Sequence, residues 1–157
     1  MPILNIQLAA QDPSGRQIPP LVALQQRGPV VQGSISVEQN IAQQLLAQGV
    51  TLPPSEVGLA LIDSGATSTC IDDEAARRLR LPAIDVVAVA SASHASTQQN
   101  VHPIQIEVRG LPITISAPRA IAAPLAPQGL LVLIGRDVLQ HCTLFYNGPA
   151  GSFSLSV

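Results

Sequence analysis

The chain has 157 residues and a formal net charge of −2, and charged residues make up only 11% of it. All eight basic residues are arginines, and no basic face indicates nucleic-acid binding. No apolar run approaches the ~18 residues that a membrane span requires. The first five residues lack the positive region of a secretory signal. We therefore expect one domain with a real hydrophobic core, in the cytoplasm, with neither nucleic acid nor membrane as a partner.

Metal and disulfide chemistry are not indicated. The two cysteines, Cys70 and Cys142, are too few for a disulfide framework and lack the spacing of a metal site. His102 and His141 lack the paired spacing of zinc ligands. We expect no metal and no cofactor.

The N-terminal residues 1–29 read as a hairpin extension of the domain. Ile3–Ala9 and Gln17–Leu24 flank Gln11–Gly15, which is rich in turn-forming residues. Pro19 and Pro20 confine the second arm to a sheet edge, because proline cannot donate to a ladder.

The core, residues 30–157, begins with a predicted strand and a helix. Val30–Val37 predicts the strand. Ser36 followed by Gln39 is a capping-box pair, and apolar residues then recur at four-residue spacing up to Gly49. A helix therefore precedes the next strand.

Further along, the pattern predicts one more helix and two hairpins. Acids at the start and arginines at the end of Asp72–Leu79 match a helix macrodipole. Val86–Ala90 and Ile104–Val108 predict the arms of a long hairpin around Ser91–His102. The C-terminal hairpin pairs two predicted strands around a clear turn, and these segments are Cys142–Tyr146, Asn147–Gly151 and Ser152–Val157.

A carboxylate directly follows one apolar run. Val57–Ile62 leads into Asp63-Ser64-Gly65, and Ala66, Thr67 and Ser68 come next. An isolated charge after a buried strand is costly unless the protein uses it. The alternative is an ordinary polar turn, since Asp, Ser and Gly all favour turns.

A second apolar run, Leu130–Ile134, ends in Gly135-Arg136-Asp137. Together the two segments resemble the retropepsin-like aspartic proteases. In that family an Asp-Ser/Thr-Gly-Ala motif follows apolar residues, and a distal Gly-Arg precedes a short helix. The lysine-free, Ala- and Gln-rich composition favours a bacterial member.

The resemblance implies an all-β, retropepsin-like half-barrel. The family's flap hairpin would correspond to the predicted long hairpin, and one helix is inserted before the catalytic strand. Short helices would follow the active-site loop and the Gly-Arg motif. The chemistry needs two carboxylates and the chain has one Asp-Ser-Gly, so the resemblance implies a homodimer. The implied activity is that of an aspartic endopeptidase acting on a peptide or protein substrate.

The resemblance also implies roles for single residues. Asp63 would be catalytic, with Ser64 and Gly65 shaping its loop. Gly135, Arg136 and Asp137 would give structural support. The substrate-binding residues would lie in the active-site loop, in the flap and on the second apolar run, and they are Ala66, Thr67, Ser68, Cys70, Ser93, His94, Ala95, Leu131 and Leu133.

Some assignments stay open. Arg136 lacks the acid that pairs with its viral counterpart, so its partner is Asp137, Asp72 or a backbone carbonyl, unless it is an unpaired surface arginine. Cys70 either faces a substrate pocket or is a small buried hydrophobe.

The C-terminal hairpin holds all three aromatic residues of the chain. They suit a dimer seam, in which Phe145, Phe153 and Leu155 would lose solvent exposure. The alternative is an edge hairpin packed on its own subunit.

Two other functions fit the same motifs. The chain could be a non-catalytic dimerisation or peptide-binding module that keeps Asp63 for structural reasons. It could also be a protease domain from a mobile element, which the run Ala60–Thr67 resembles.

Overall fold

The computed structural model describes residues 2–91 and 94–157. Within these residues the chain forms twelve strands, four α-helices and one short 3₁₀ helix. The strands are β1 (Ile3–Gln7), β2 (Ala10–Gln11), β3 (Gln17–Ile18), β4 (Val30–Val37), β5 (Glu56–Ile62), β6 (Cys70–Asp72), β7 (Asp85–Ser91), β8 (His94–Val108), β9 (Thr114–Ala123), β10 (Val132–Ile134), β11 (Thr143–Asn147) and β12 (Ser152–Ser156). The helices are α1 (Pro20–Arg27), α2 (Gln39–Ala47), α3 (Asp73–Arg78), α4 (Arg136–Leu139) and the 3₁₀ helix Ala126–Gln128.

Six strands close into a barrel. Their order is β4-β5-β10-β6-β9-β8, and β8 pairs back onto β4. Two of the pairings are parallel, β5 with β10 and β6 with β9. The barrel interior holds a hydrophobic core that includes Ile35, Ala60, Ile71, Ile104 and Val132. The prediction of an all-β fold with a few short helices is confirmed, and the sheet closes into a barrel rather than a half-barrel.

A separate three-stranded sheet joins the two ends of the described chain. β12 lies in the middle, between β1 and β11, and both neighbours are antiparallel to it. The predicted C-terminal hairpin is therefore confirmed. The other neighbour of β12 is β1. We expected β1 to pair with Gln17–Leu24, and that expectation is wrong.

The N-terminal region differs from the predicted long hairpin for a local reason. A hairpin does form, but only between the two-residue strands β2 and β3. The following residues turn into helix α1, which begins at Pro20. Proline suits the first turn of a helix, because it needs no N–H there and its φ is already helical.

Side-chain caps begin α2 and α3. Glu38 accepts from the backbone N–H groups of Asn40 and Ile41, so it caps α2. The predicted cap, Ser36, is wrong because this residue lies inside β4. Asp72 caps α3 by accepting from the N–H of Ala75, as its acidic start predicted.

An ion pair then holds α3 against the barrel. Arg78 donates to both carboxylate oxygens of Glu56, at 2.9 and 3.0 Å, and this hydrogen bonding lowers the pKa of Glu56. It links α3 to the start of β5, the strand that leads to Asp63.

The long hairpin pairs differently from the expectation. β7 pairs with residues 94–101 of β8 and not with Ile104–Val108. The second half of β8 belongs to the barrel, where it pairs with β9 and β4. Its register shifts between His102 and Ile104, on either side of a proline. The sequence predicted that the polar residues before this shift lie between the two arms of the hairpin, but residues 94–101 belong to the second arm itself.

Two residues expected at a dimer seam already lie inside the subunit. Phe153 and Leu155 are each only 1% exposed, so their predicted loss of exposure on dimerisation is wrong. Phe145 and Tyr146 on β11 are 62% and 49% exposed. The alternation of β12 places its apolar side chains on the core side.

None of the helices in the described residues is long and apolar enough to cross a membrane.

The two phenylalanines should differ sharply in their contribution to stability. Phe153→Ala should lower the free energy of unfolding by about 3 kcal/mol or more, because it removes a fully buried aromatic ring. At protein concentrations too dilute for dimerisation, Phe145→Ala should change it by no more than about 0.5 kcal/mol, as expected for a residue exposed in the single subunit. Urea unfolding of the two variants measures both values. Equal effects would contradict the placement of β12 in the core.

Candidate active site

Asp63 lies where two parallel strands end together. β5 and β10 are in register, with Ile62 opposite Ile134, and the N–H of Asp63 donates to the carbonyl of Ile134 at 2.9 Å. Because the strands are parallel, both of their carboxyl ends open at the same edge of the barrel. The loop after Asp63 and the loop after Ile134 therefore meet.

The Asp63 carboxylate is half-buried and only partly engaged. Its Oδ1 accepts from the N–H of Gly65 at 2.8 Å. A Cβ at Gly65 would lie 3.0 Å from this oxygen, so the turn fits glycine best. Among the described residues, this amide is the carboxylate's one hydrogen-bond donor. Its second oxygen accepts no hydrogen bond within that part of the chain.

A buried hydrogen-bond network joins the two loops. Thr69 is fully buried, and its Oγ1 donates to Oδ1 of Asp137 at 2.8 Å and accepts from the N–H of Gly135 at 3.1 Å. The N–H of Thr69 donates to Oδ2 of Asp137 at 3.0 Å. Gly135 has no room for a side chain, because a Cβ would lie 2.5 Å from the carbonyl carbon of Ser68. The loops are thus in direct backbone contact.

Arg136 closes the same junction from outside. Its guanidinium donates to the carbonyls of Ser64 and Gly65, at 2.9 and 3.1 Å, and to Oγ1 of Thr67 at 2.9 Å. Its backbone N–H donates to the carbonyl of Ala66 at 3.0 Å. Of the partners considered from sequence, the backbone carbonyl is the one found. Arg136 therefore fixes the loop after Asp63 by donating to that loop's main-chain carbonyls.

Cys70 lies beneath this loop as a protonated thiol. It pairs with Leu133 across β6 and β10, and it is half-buried. Burial raises the pKa of the Cys70 thiol, and the nearby carboxylates of Asp137 and Asp63 raise it further. A raised pKa argues against a nucleophilic role.

The other predicted site residues divide into three groups. Ala66, Thr67 and Ser68 continue the loop beside Asp63, as described above. Leu131 is buried in the core next to Gly58, beyond the open edge of the site. Ser93 falls outside the described residues. His94 and Ala95 begin β8, but their side chains also lie outside the described part of the structure.

A groove adjoins Asp63 and Ser64. We call this cavity of about 470 Å³ the Asp63 groove. It is lined by the end of α1 and the residues after it, by the end of β5 with Asp63 and Ser64, and by β11; the residues are Gln26, Arg27, Gly28, Pro29, Leu61, Ile62, Asp63, Ser64, Leu144 and Tyr146.

Sequence reasoning missed Thr69 and the Arg27–Pro29 wall of the groove. Thr69 gave a weak signal, as a hydroxyl between the active-site motif and the apolar residues of β6. The wall gave none, because α1 had been interpreted as a strand. Among the described residues, no group of three or more His, Cys, Asp or Glu side chains could hold a metal ion.

Residues 54–138 match the family model described as aspartyl protease. This span is more than half of the chain and contains both motifs, Asp63-Ser64-Gly65 and Gly135-Arg136. The chain belongs to the aspartyl protease family. The resemblance stated from the two motifs is confirmed, and family membership supports a protease function in general terms.

Solved structures similar to the chain include a viral and a bacterial protease. The simian foamy virus (mac) protease is 19% identical, with a TM-score of 0.44, covering 71% of this chain and 91% of that one. A retropepsin-like aspartic protease from Rickettsia conorii is 10% identical, with a TM-score of 0.48, covering 98% and 90%. The prototype foamy virus protease-reverse transcriptase is 18% identical, with a TM-score of 0.44, and the match covers 73% of this chain but 12% of that one. No curated protein matches the chain.

The Thr69 hydroxyl should carry much of the stability of the loop junction. Thr69→Val keeps the shape but leaves the buried N–H of Gly135 without an acceptor, so it should cost about 2 kcal/mol of unfolding free energy. Thr69→Ser keeps the hydroxyl and should cost about 1 kcal/mol for the lost methyl group. Urea unfolding measures both. A Thr69→Val protein as stable as the parent would contradict the network.

Proposed function

We propose that this protein is an aspartic endopeptidase that works as a homodimer. Two Asp63 carboxylates, one from each subunit, would activate a water molecule between them. The observation that carries this proposal is the geometry of Asp63: it ends β5 at an open edge, and one of its oxygens lacks a hydrogen-bond donor among the described residues. The chain supplies one such carboxylate, and amide hydrolysis by water needs both a base and an acid.

The dyad would work by sharing one proton. Two carboxylates held close together cannot both ionise, so one is charged and the other neutral. The ionised Asp63 takes a proton from water as the water oxygen attacks the peptide carbonyl. The protonated partner gives its proton to the carbonyl oxygen, which forms a tetrahedral diol. The Asp63 that took the proton from water then gives it to the amide nitrogen, while the ionised partner takes a proton from one diol hydroxyl. The C–N bond breaks, the products are a carboxylic acid and an amine, and the dyad again holds one proton.

The rigid surroundings of Asp63 serve this chemistry. Gly65 and Arg136 fix the loop through main-chain groups, so the carboxylate needs little reorganisation during the reaction. Ser64 is exposed beside Asp63, where its hydroxyl can bond to the partner subunit's loop. We assign substrate contacts to Ala66, Thr67, Ser68, Cys70 and Leu133. We assign the role of a flap to the β7–β8 hairpin, and the roles expected for Ser93, His94 and Ala95 remain as the resemblance implies.

The exposed edge of β11 supports a second copy as the dimer partner. β11 ends the three-stranded sheet, so the main-chain groups on its outer side are unpaired within that sheet. Phe145 and Tyr146 are exposed there, and Thr143–Val157 contains no charged side chain. Tyr146 lines the Asp63 groove, so pairing at this edge would bring two Asp63 loops together. This seam replaces the one expected around Phe153 and Leu155.

Loss of the Asp63 charge should abolish cleavage without unfolding the protein. Asp63→Asn should lower the rate of peptide hydrolysis by about 10³-fold or more, since it removes the acid–base pair. Glu107→Gln, at an exposed carboxylate outside the site, is the matched control. Mass spectrometry of a diverse peptide library, from acid to neutral pH, measures cleavage. A folded dimer that cleaves nothing would favour the peptide-binding module instead. An Asp63→Asn variant as active as its parent would contradict the catalytic role of Asp63.

A charge on the β11 edge should separate the subunits. Phe145→Asp places two like charges across the proposed two-fold seam and should weaken dimerisation by about 100-fold or more. Cleavage should fall in parallel at dilute protein concentrations. The free energy of unfolding of the single subunit should change little, because Phe145 is exposed there. Val57→Asp introduces the same charge at a residue that is 72% exposed elsewhere on the barrel, and it should leave the dimer intact. Sedimentation measures both. If Phe145→Asp still dimerises and cleaves peptide, the seam lies on another surface.

A further inference from the structure

A second cavity lies at the base of the β7–β8 hairpin. It has a volume of about 370 Å³ and shares no lining residue with the Asp63 groove. We call it the His102 cavity. Its walls come from α3 and the turn after it, with Arg77 and Arg80, and from β8, with Gln98, Asn100 and His102.

His102 presents one free nitrogen to this cavity. The residue is only 6% exposed, and its Nδ1 lies 3.0 Å from the carbonyl oxygen of Pro82. A carbonyl only accepts, so Nδ1 carries a proton and Nε2 of the neutral ring does not. Nε2 has no hydrogen-bond partner among the described residues. It is also not fully buried, because the one fully buried and unpartnered side-chain polar atom in that part of the chain is Oγ of Ser156.

Arg80 occupies a backbone position that suits glycine. Its φ is +51°, and it is the only non-glycine residue with a positive φ among the described residues. It lies two residues after the end of α3, where a glycine would avoid this strain. An arginine in place of glycine at such a strained position points to a use for its side chain.

The charges around the cavity leave one cation unmatched. Arg77 pairs with Asp73 at 3.2 Å and with Glu74 at 2.8 Å. Arg80 takes part in none of the ion pairs found among the described residues. The neighbouring pair, Arg119 with Asp85 of β7, is already satisfied. A single unmatched guanidinium balances one negative charge. The Asp73 carboxylate in the same lining would repel a doubly charged ligand more strongly than a monoanion.

We propose that the His102 cavity binds a carboxylate. The Arg80 guanidinium offers two parallel N–H donors, which match a carboxylate in geometry. The side-chain amides of Gln98 and Asn100 offer further donors on the facing wall. Nε2 of His102, an acceptor in the neutral ring, would take a hydrogen bond from an N–H next to the carboxylate, such as the amide of a peptide's last residue. A bound carboxylate would link α3 to the β7–β8 hairpin.

A carboxylate can come from a small organic acid or from the C-terminus of a peptide. Nuclear magnetic resonance titration with acetate and with N-acetyl-alanyl-alanine tests both sources, and the dipeptide's neutral amide is the control. The expected result is saturable shifts at Asn100, Arg80 and the His102 ring with both carboxylates, and none with the amide. Tighter binding of the dipeptide would assign the site to peptide C-termini, and equal binding would assign it to small acids. Chloride at the same ionic strength should have no effect.

Arg80→Gly separates binding from folding. The variant should bind acetate at least about tenfold more weakly, since it loses the charge-assisted hydrogen bonds. Its Tm should be equal to or higher than that of the parent, because glycine relieves the strained φ. Arg109→Gln, at an exposed arginine outside the cavity, should bind like the parent. Asp63→Asn should also bind normally, so this test is independent of the proposed peptidase activity. Absent shifts in the parent, or unchanged affinity in Arg80→Gly, would overturn the proposal.

Discussion

The site depends on the parallel pairing of β5 with β10. That pairing ends both strands at one edge of the barrel, and the hydrogen bond from the Asp63 N–H to the Ile134 carbonyl sets their relative height. The loops that follow are then close enough for Gly135 to touch the backbone of Ser68. Thr69 and Asp137 fill the space between the loops with mutually satisfied hydrogen bonds. A carboxylate on such a support keeps its position at little energetic cost during a reaction.

The arrangement also explains why one chain is insufficient for the proposed chemistry. The Arg136 guanidinium donates to two carbonyls and a hydroxyl of the loop after Asp63. It therefore stabilises the position of Asp63 and does not take the place of a second acid. The Asp63 groove, in turn, is bounded by the open β11 edge and its exposed aromatic residues. Asp63 and the unpaired sheet edge therefore lie side by side, which is the geometry that the proposed two-fold dimer requires.

Local sequence signals predicted the elements that depend on local physics. The β4 strand, the acidic cap of α3 and the C-terminal hairpin all agree with the structure, because alternation, capping and turn chemistry act over a few residues. The failures involve competition at longer range. β1 pairs with β12 across almost the whole chain, and no local pattern distinguishes that partner from a nearby strand. Glu38 rather than Ser36 caps α2, because the barrel extends β4 past the serine.

The candidate site shows the same contrast between what local motifs predict and what long-range packing decides. The two motifs brought Asp63 and Gly135–Asp137 together correctly, because each directly follows an apolar strand. Thr69 and the Arg27–Pro29 wall depend on how distant segments pack, which spacing along the chain does not reveal. Leu131 depends on packing as well. It was expected to contact substrate, and the structure buries it just before β10, beside Gly58.

Mixing subunits tests most directly the claim that the active site needs Asp63 from two chains. Increasing amounts of the Asp63→Asn protein are added to a fixed amount of parent, allowed to exchange, and peptide cleavage is measured. Exchange into mixed dimers with a single Asp63 should reduce the parent's activity to about half at equal amounts, and further in excess, by mass action. The double variant Asp63→Asn with Phe145→Asp should reduce the parent's activity much less, because a charge desolvated at the seam also weakens its pairing with a parent subunit. Parent activity that stays constant as subunits demonstrably exchange would show that each chain acts alone, and would contradict the account.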